Sequence, residues 1–299
     1  MQQLLISSLF ISLVLFVSVI LLGSKTSFAD NELYTGGAPN AEAIGWKIGC
    51  QAYSFNRFTF FEAIDKVASI GLHYIEAYPG QKLSKETGDV VFDHNISPEL
   101  QQKVKEKLQQ ANVKLINYGV VNLPNNEEEC RKVFDFAKAM GIETIVSEPP
   151  ANAMQLVDKL TGEYGIKVAI HNHPKPSLYW DYKKVLEVTK DVSPRIGSCA
   201  DTGHWMRSGI KPMEAIEALG TRIISFHLKD LGEFGKRDAH DVIWGTGQAD
   251  IKAILTYLYK QGFKGVFSIE YEYNWENSLP EISQCVKYFD AVAKELSGK

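Results

Sequence analysis

The chain has 299 residues, 45% of them hydrophobic and 23% charged, which is enough apolar material for a large core and excludes a disordered or collagen-like protein. Thirty-two Lys and Arg against 36 Asp and Glu leave a net charge of −4. That balance gives no electrostatic case for a phosphate backbone, so nucleic acid is not expected as a partner.

The first predicted element is a targeting segment. Leu4 to Leu22 is apolar apart from a few serines, and Ser27-Phe28-Ala29 fits a small-x-small cleavage site before Asp30. Residues 1–29 are therefore expected to be a signal peptide that exports the chain to the periplasm or beyond. No Lys or Arg precedes the apolar run, and its length also suits an uncleaved anchor; only then would a membrane be a partner. Cys50 and Cys199 fall in strand-like runs, and Cys130 and Cys285 on predicted helices. No two form a Cys-x-x-Cys pair, so buried free thiols are expected rather than a disulfide scaffold or a zinc ribbon.

A polar lead-in occupies 30–44, and from 45 to 299 short β-branched runs alternate with amphipathic segments without a second linker. The predicted strands are Lys47–Cys50, His73–Ala77, Lys114–Tyr118, Glu143–Ser147, Lys167–His171, Arg195–Ala200, Ile223–Leu228 and Gly265–Glu270, each followed by a helical pattern. Phe60, Ala63, Ile64, Val67 and Ala68 form a 3.6-period stripe ending at Gly71. Ser97-Pro98 reads as a cap followed by proline at the first helical position, and Ile282, Cys285, Val286, Phe289 and Ala293 repeat the stripe in the last helix. Eight strand–helix units predict an α/β fold with a single (β/α)8 TIM barrel. No Gly-x-Gly-x-x-Gly follows a strand, which removes the usual support for a dinucleotide fold.

In such a barrel the C-terminal strand ends form the active-site face. Glu76, Glu148, His171, Asp201, His227 and Glu270 end or follow strands two, four, five, six, seven and eight. A lone strand-end Glu or His reads first as a buried group satisfied by hydrogen bonds. Concurrence changes that reading: five of the seven histidines lie between 171 and 240, and carboxylates buried together need a cation because like charges oppose one another's ionisation. The set predicts one divalent ion held by oxygen and nitrogen ligands, among Mn, Mg, Co, Zn and Fe. Trp180, Trp205, Trp244 and Trp275 follow strands five to eight, where flat faces suit sugar rings; packing on the barrel rim is the alternative. Arg207 reads as a substrate anchor or as an exposed cation. Gly245-Thr246-Gly247 reads as a loop turn before it reads as a phosphate cradle.

Asp201-Thr202-Gly203-His204, Ser225-Phe226-His227-Leu228-Lys229-Asp230 and Ser268-Ile269-Glu270, set among eight βα units, resemble the xylose-isomerase-like TIM-barrel superfamily. That group includes sugar epimerases, inosose dehydratase, hydroxypyruvate isomerase and endonuclease IV. The resemblance implies that Asp201, His227 and Glu270 are metal ligands. Epimerases of the group place a Glu at the end of strand five, where this chain has His171. The fourth ligand is then Glu148 or His171, with Glu148 preferred because His171-Asn172-His173 also suits a substrate pocket. Asp238-Ala239-His240 resembles an Asp-x-His used for extra zinc ions in endonuclease IV; without that enzyme's full ligand set it is assigned to substrate contact.

The resemblance further implies a metal-dependent isomerase or epimerase acting on a sugar or keto-sugar. A proton is removed beside a carbonyl and the resulting enediolate is stabilised by the ion. Glu270 would be ligand and proton shuttle, with Glu148 or His173 on the opposite face. His204, Lys229, Asp238, His240, Trp205 and Trp244 would contact substrate. If a β-substituent leaves after proton removal, the same site is a lyase or hydratase on a keto-glycoside. A noncatalytic sugar-binding barrel and an endonuclease are the remaining alternatives, and the partner expected is a small carbohydrate.

Overall fold

In a computed structural model the chain is described over residues 33–298; the expected signal peptide lies outside the described residues. Among the described residues no helix is long and apolar enough to cross a membrane. Eight parallel strands, β1 (Lys47–Gln51), β2 (Tyr74–Ala77), β3 (Lys114–Val121), β4 (Thr144–Ser147), β5 (Lys167–His171), β6 (Ile196–Asp201), β7 (Ile223–Leu228) and β8 (Val266–Ile269), close into a barrel in which every strand neighbours the next and β1 meets β8. All eight predicted strands are present. The largest shift in bounds is β3, which runs three residues past Tyr118 to Val121.

The helices form where the sequence supplies caps and an apolar stripe. In α1 (Phe60–Ser69), Thr59 and Glu62 make a reciprocal capping box, and Phe60, Ala63, Ile64 and Val67 are buried. Ser97 accepts from Leu100 N–H at the start of α2 (Pro98–Ala111). α3 (Glu127–Met140), α4 (Met154–Tyr164), α5 (Tyr182–Thr189), α6 (Pro212–Leu219), α7 (Ile251–Lys260) and α8 (Leu279–Leu296) follow. The lead-in is more ordered than its polar composition implies. Pro39–Ala43 is a short helix, and its Asn40 and Ala41 N–H groups donate to the Asp290 carboxylate on α8 at 2.7 and 3.1 Å.

Alternation along the strands divides the apolar side chains. Ile145, Val168, Ile170 and Ile196 join the main core shared with the helices, whereas Val146, Ala169 and Cys199 form a separate buried cluster with Val120 and Ile224 that fills the barrel interior. The polar residues that continue this inward-facing set beyond the strand ends build the site. All four cysteines are buried and free.

Candidate metal centre

Asp201 closes β6 and starts the next turn of chain. Its Oδ1 accepts from His204 N–H at 2.6 Å, capping the short helix Thr202–Arg207, so the Asp-x-x-His spacing is that of an N-cap and the third residue of its helix. Asn172 holds the β5 and β6 ends together, donating to Asp201 O and accepting from Asp201 N–H at 2.9 Å each. The capping leaves Asp201 Oδ2 pointing into the barrel mouth.

There it meets the ends of three adjacent strands. One ligand-type atom each from His171, Asp201, His227 and Glu270, on or just past β5 to β8, lies within 4.8 Å of all the others, and every one of these residues is buried. His171 Nε2 faces Asp201 Oδ2 at 3.5 Å and is buried without a hydrogen-bond partner, while Asp201 Oδ2 lies 2.9 Å from Lys229 Nζ. His227 Nδ1 lies 3.1 Å from Glu270 Oε2. Two imidazole nitrogens and two carboxylates suit a borderline divalent ion, and the unpartnered, buried His171 Nε2 is what such an ion would satisfy. The residues therefore fit the expected metal.

The structure differs from the expectation at the fourth position. Glu148 lies outside this quartet and in a second group with His171 and His173. Its Oε1 pairs with His171 Nδ1 at 3.3 Å and contacts His173 Nδ1 closely. Asp201, His227 and Glu270 lie on or beside β6 to β8, so β5 completes a run of neighbours and β4 stands one strand further round. Burial raises the Glu148 carboxyl, but the bonds to His171 and His173 prevail and hold it at about 2.

Lys229, expected at the substrate, is fully buried instead. Its Nζ lies 2.9 Å from Asp201, 2.7 Å from Glu270 and 3.0 Å from Glu272. Burial disfavours the ammonium, but these carboxylates outweigh it and hold the lysine well above its ordinary value. The Arg207 side chain is only 9% exposed and lines the cavity, pairing with Glu272 at 2.5 Å and Asp241 at 3.3 Å, which excludes the exposed reading and keeps the anchor one. Burial carries Asp241 up to about 8 despite Lys229 and Arg207. His204 is pushed well below its ordinary value, chiefly by burial, so it is a neutral imidazole. Its Nδ1 lies 3.1 Å from Arg207 NH1 and, since guanidinium only donates, Nε2 carries the proton.

Above this layer lies a cavity of about 720 Å³, lined by His173, His204, Glu270 and Glu272 and flanked by Tyr53, Tyr78, Pro176 and Arg237. Four histidines cluster at its floor, with the His171 ring centroid 4.5, 4.8 and 5.7 Å from those of His173, His227 and His204. Trp205 and Trp244 are buried in the core, packed away from the cavity. Asp238 and His240 are exposed, and His240 stacks on Tyr273 at 4.4 Å rather than lining the cavity. The Gly245–Gly247 turn wraps an internal anion: N–H groups of Gly245, Gly247 and Ala249 donate to the Asp230 carboxylate at 2.9, 3.0 and 2.9 Å. Sequence reasoning missed Glu272 and the burial of Arg207. The spacing carried a signal for both, since Glu272 is two residues past Glu270 and Arg207 one helical turn past His204.

A closed (β/α)8 barrel with a buried histidine–carboxylate quartet under an open cavity defines a barrel whose working face is its C-terminal mouth. The model of the xylose isomerase-like TIM barrel family matches residues 64–289, and the chain belongs to that family. A solved protein from Parabacteroides distasonis shares 32% identity over 82% of this chain and 98% of its own, with a TM-score of 0.67. A D-tagatose 3-epimerase-like protein shares the fold at 21% identity, covering 83% and 98% of the two chains with a TM-score of 0.64. So does a xylose isomerase-like TIM barrel protein from Mycobacterium smegmatis in complex with magnesium, at 13% identity, 85% and 98% coverage and a TM-score of 0.65. Among curated proteins nothing matches the sequence.

Proposed function

We propose that the chain is a divalent-metal-dependent isomerase or epimerase of a sugar or keto-sugar, working by removal of a carbon-bound proton. The observation that carries the reading is the buried cluster of His171, Asp201, His227 and Glu270, with one ligand-type atom from each within 4.8 Å of all the others, directly beneath a cavity sized for a small ligand. A divalent ion held by His171, Asp201, His227 and Glu270 supplies Lewis-acid polarisation of a bound carbonyl.

The chain's own groups do the rest. Glu270 reaches the cavity wall and is held well below its ordinary value because Lys229 and His227 outweigh its burial, so it is an anionic proton acceptor. His173 lines the cavity. Its Nδ1 is held by Glu148, which leaves Nε2 to exchange a proton with substrate. His204, neutral with Nε2–H available, is a hydrogen-bond donor for a substrate oxygen. Lys229 and Arg207 hold Glu272 between them at 3.0 and 2.5 Å and fix its carboxylate at the cavity wall. The cavity exceeds what one sugar ring fills, which favours as a second reading a lyase or hydratase whose leaving group occupies the remainder. Export belongs to the same proposal. Outside the cytoplasm the substrates are free sugars or glycosides, and mass spectrometry of the native protein should find a chain beginning near Asp30.

The test is solvent exchange. Incubation of Mn2+-loaded protein with keto-sugars in heavy water, followed by NMR, should place deuterium next to the carbonyl, and Glu270→Gln should abolish it. Epimer products support the isomerase and an unsaturated sugar the lyase. Tight binding with neither exchange nor cleavage replaces both with a sugar-binding barrel.

A further inference from the structure

Below the quartet, at the end of β2, lies a carboxylate to which the proposed reaction assigns no task. Glu76 is fully buried in the barrel and meets four groups. Oε1 faces His227 Nε2 at 2.7 Å and Gln51 Nε2 at 3.2 Å, and Oε2 accepts from Ser268 Oγ at 2.6 Å and Asn117 Nδ2 at 3.1 Å. The orientation of the Gln51 amide is set by the chain. Its Nε2 also donates to Gly119 O at 2.9 Å, and its Oε1 accepts from Tyr53 N–H at 3.1 Å. A carbonyl oxygen only accepts and an amide N–H only donates, so the amide cannot be turned over. Glu76 is thus surrounded by donors, and the proton on its side of His227 sits on Nε2.

A neutral imidazole with its proton on Nε2 has its lone pair on Nδ1, the nitrogen that faces Glu270. With that tautomer, Nδ1 and Glu270 Oε2 are two electron-pair donors 3.1 Å apart, both of a kind that a divalent ion binds, with Lys229 Nζ 2.7 Å from the same Oε2. We infer that Glu76 is a positioning residue: through Nε2 it fixes the tautomer and ring orientation of His227 so that Nδ1 is presented to a divalent ion. The inference rests on the metal-centre reading above. Glu148 stands in the same relation to His171 on the other side of the quartet, through Nδ1, so each histidine of the set is backed by a carboxylate from an earlier strand. Outer carboxylates of this kind orient histidine ligands and raise their basicity.

The probe is Mn2+ alone, titrated calorimetrically into wild type, Glu76→Gln and Asn117→Ala, with circular dichroism reporting the fold. Glu76→Gln should lose roughly 10- to 100-fold in Mn2+ affinity while keeping its spectrum. Asn117→Ala removes a partner of Glu76 but spares its bond to His227, so it should lower thermal stability and hold Mn2+ affinity within about threefold. Equal affinity in wild type and a folded Glu76→Gln overturns the inference and leaves the metal reading standing; a wild type that takes up no Mn2+ overturns both. A second measurement does not depend on the variants folding. In the Zn2+-loaded wild type, long-range proton–nitrogen NMR should show His227 protonated on Nε2 and metal-bound at Nδ1, and the reverse assignment overturns the inference.

Discussion

At the N-terminal mouth of the barrel Lys47 and Lys114 hold Glu143 at 2.9 and 2.5 Å, and all three side chains are at least 34% exposed. At the C-terminal mouth Lys229 holds three carboxylates at similar distances with no exposure of its own. Both ends have a cavity, about 480 Å³ below and 720 Å³ above. The lower is rimmed by Lys47, Lys138, Lys167 and Lys264, whose charges solvent screens. Exposed pairs of this kind contribute little. Buried ion groups lose hydration that their mutual attraction only partly restores, and apolar residues of the same volume would often serve stability better. The same eight strands therefore carry charge cheaply at one end and at considerable expense at the other, where the proposed chemistry needs it.

The contrast is broken most directly at Lys229. Lys229→Met leaves Asp201, Glu270 and Glu272 facing one another without their shared cation, and urea unfolding of the metal-free protein should show a loss of about 3–5 kcal/mol. A loss below ~1 kcal/mol would mean that the upper network is no more demanding than the lower.

A smaller effect is expected at Glu148. Its folded carboxyl titrates near 2 against an ordinary 4.5, so its contribution is complete above about 4.5 and disappears as pH falls through about 2. That contribution is about 3 kcal/mol at neutral pH, where Glu148→Gln should be less stable than wild type by that amount, the two converging as pH falls. His173→Ala should remove part of it. Urea midpoints at pH 7, 4 and 2.5 check this, and a constant difference across the series would refute the assignment.

The least effect belongs to the lower mouth. Lys114→Ala should cost about 0.5 kcal/mol, less in high salt. A change in melting temperature corresponding to ~2 kcal/mol or more would erase the distinction between the two ends.

Much of this was legible in the linear chain. Helical stripes and β-branched runs repeat with the periods of their elements, so the eight strands, the helix carrying the Phe60–Ala68 stripe and the closed barrel follow from local spacing. The polar residues at strand ends were legible too, since the fold puts every C-terminal strand end on one face. Which of them converge was not. Glu148 and His171 both continue inward-facing sets, and the register pairs Val146 with Ala169, placing the two side by side. Position around the barrel separates them, since His171 groups with Asp201, His227 and Glu270 whereas Glu148 groups with His171 and His173. Trp205, Trp244 and Lys229 were misplaced, and the exposed reading of Arg207 failed, for a related reason. Residue type at a loop or strand end does not say whether the neighbouring helices cover it, and burial comes from contacts far apart in sequence, such as Arg207 with Glu272. The glycine turn at Gly245–Gly247 has the composition of an anion cradle, but only the packed structure shows that Asp230 already occupies it. Local spacing sets the period and direction of each element; closure of the barrel sets which charges meet, and loss of water there makes their pairing matter.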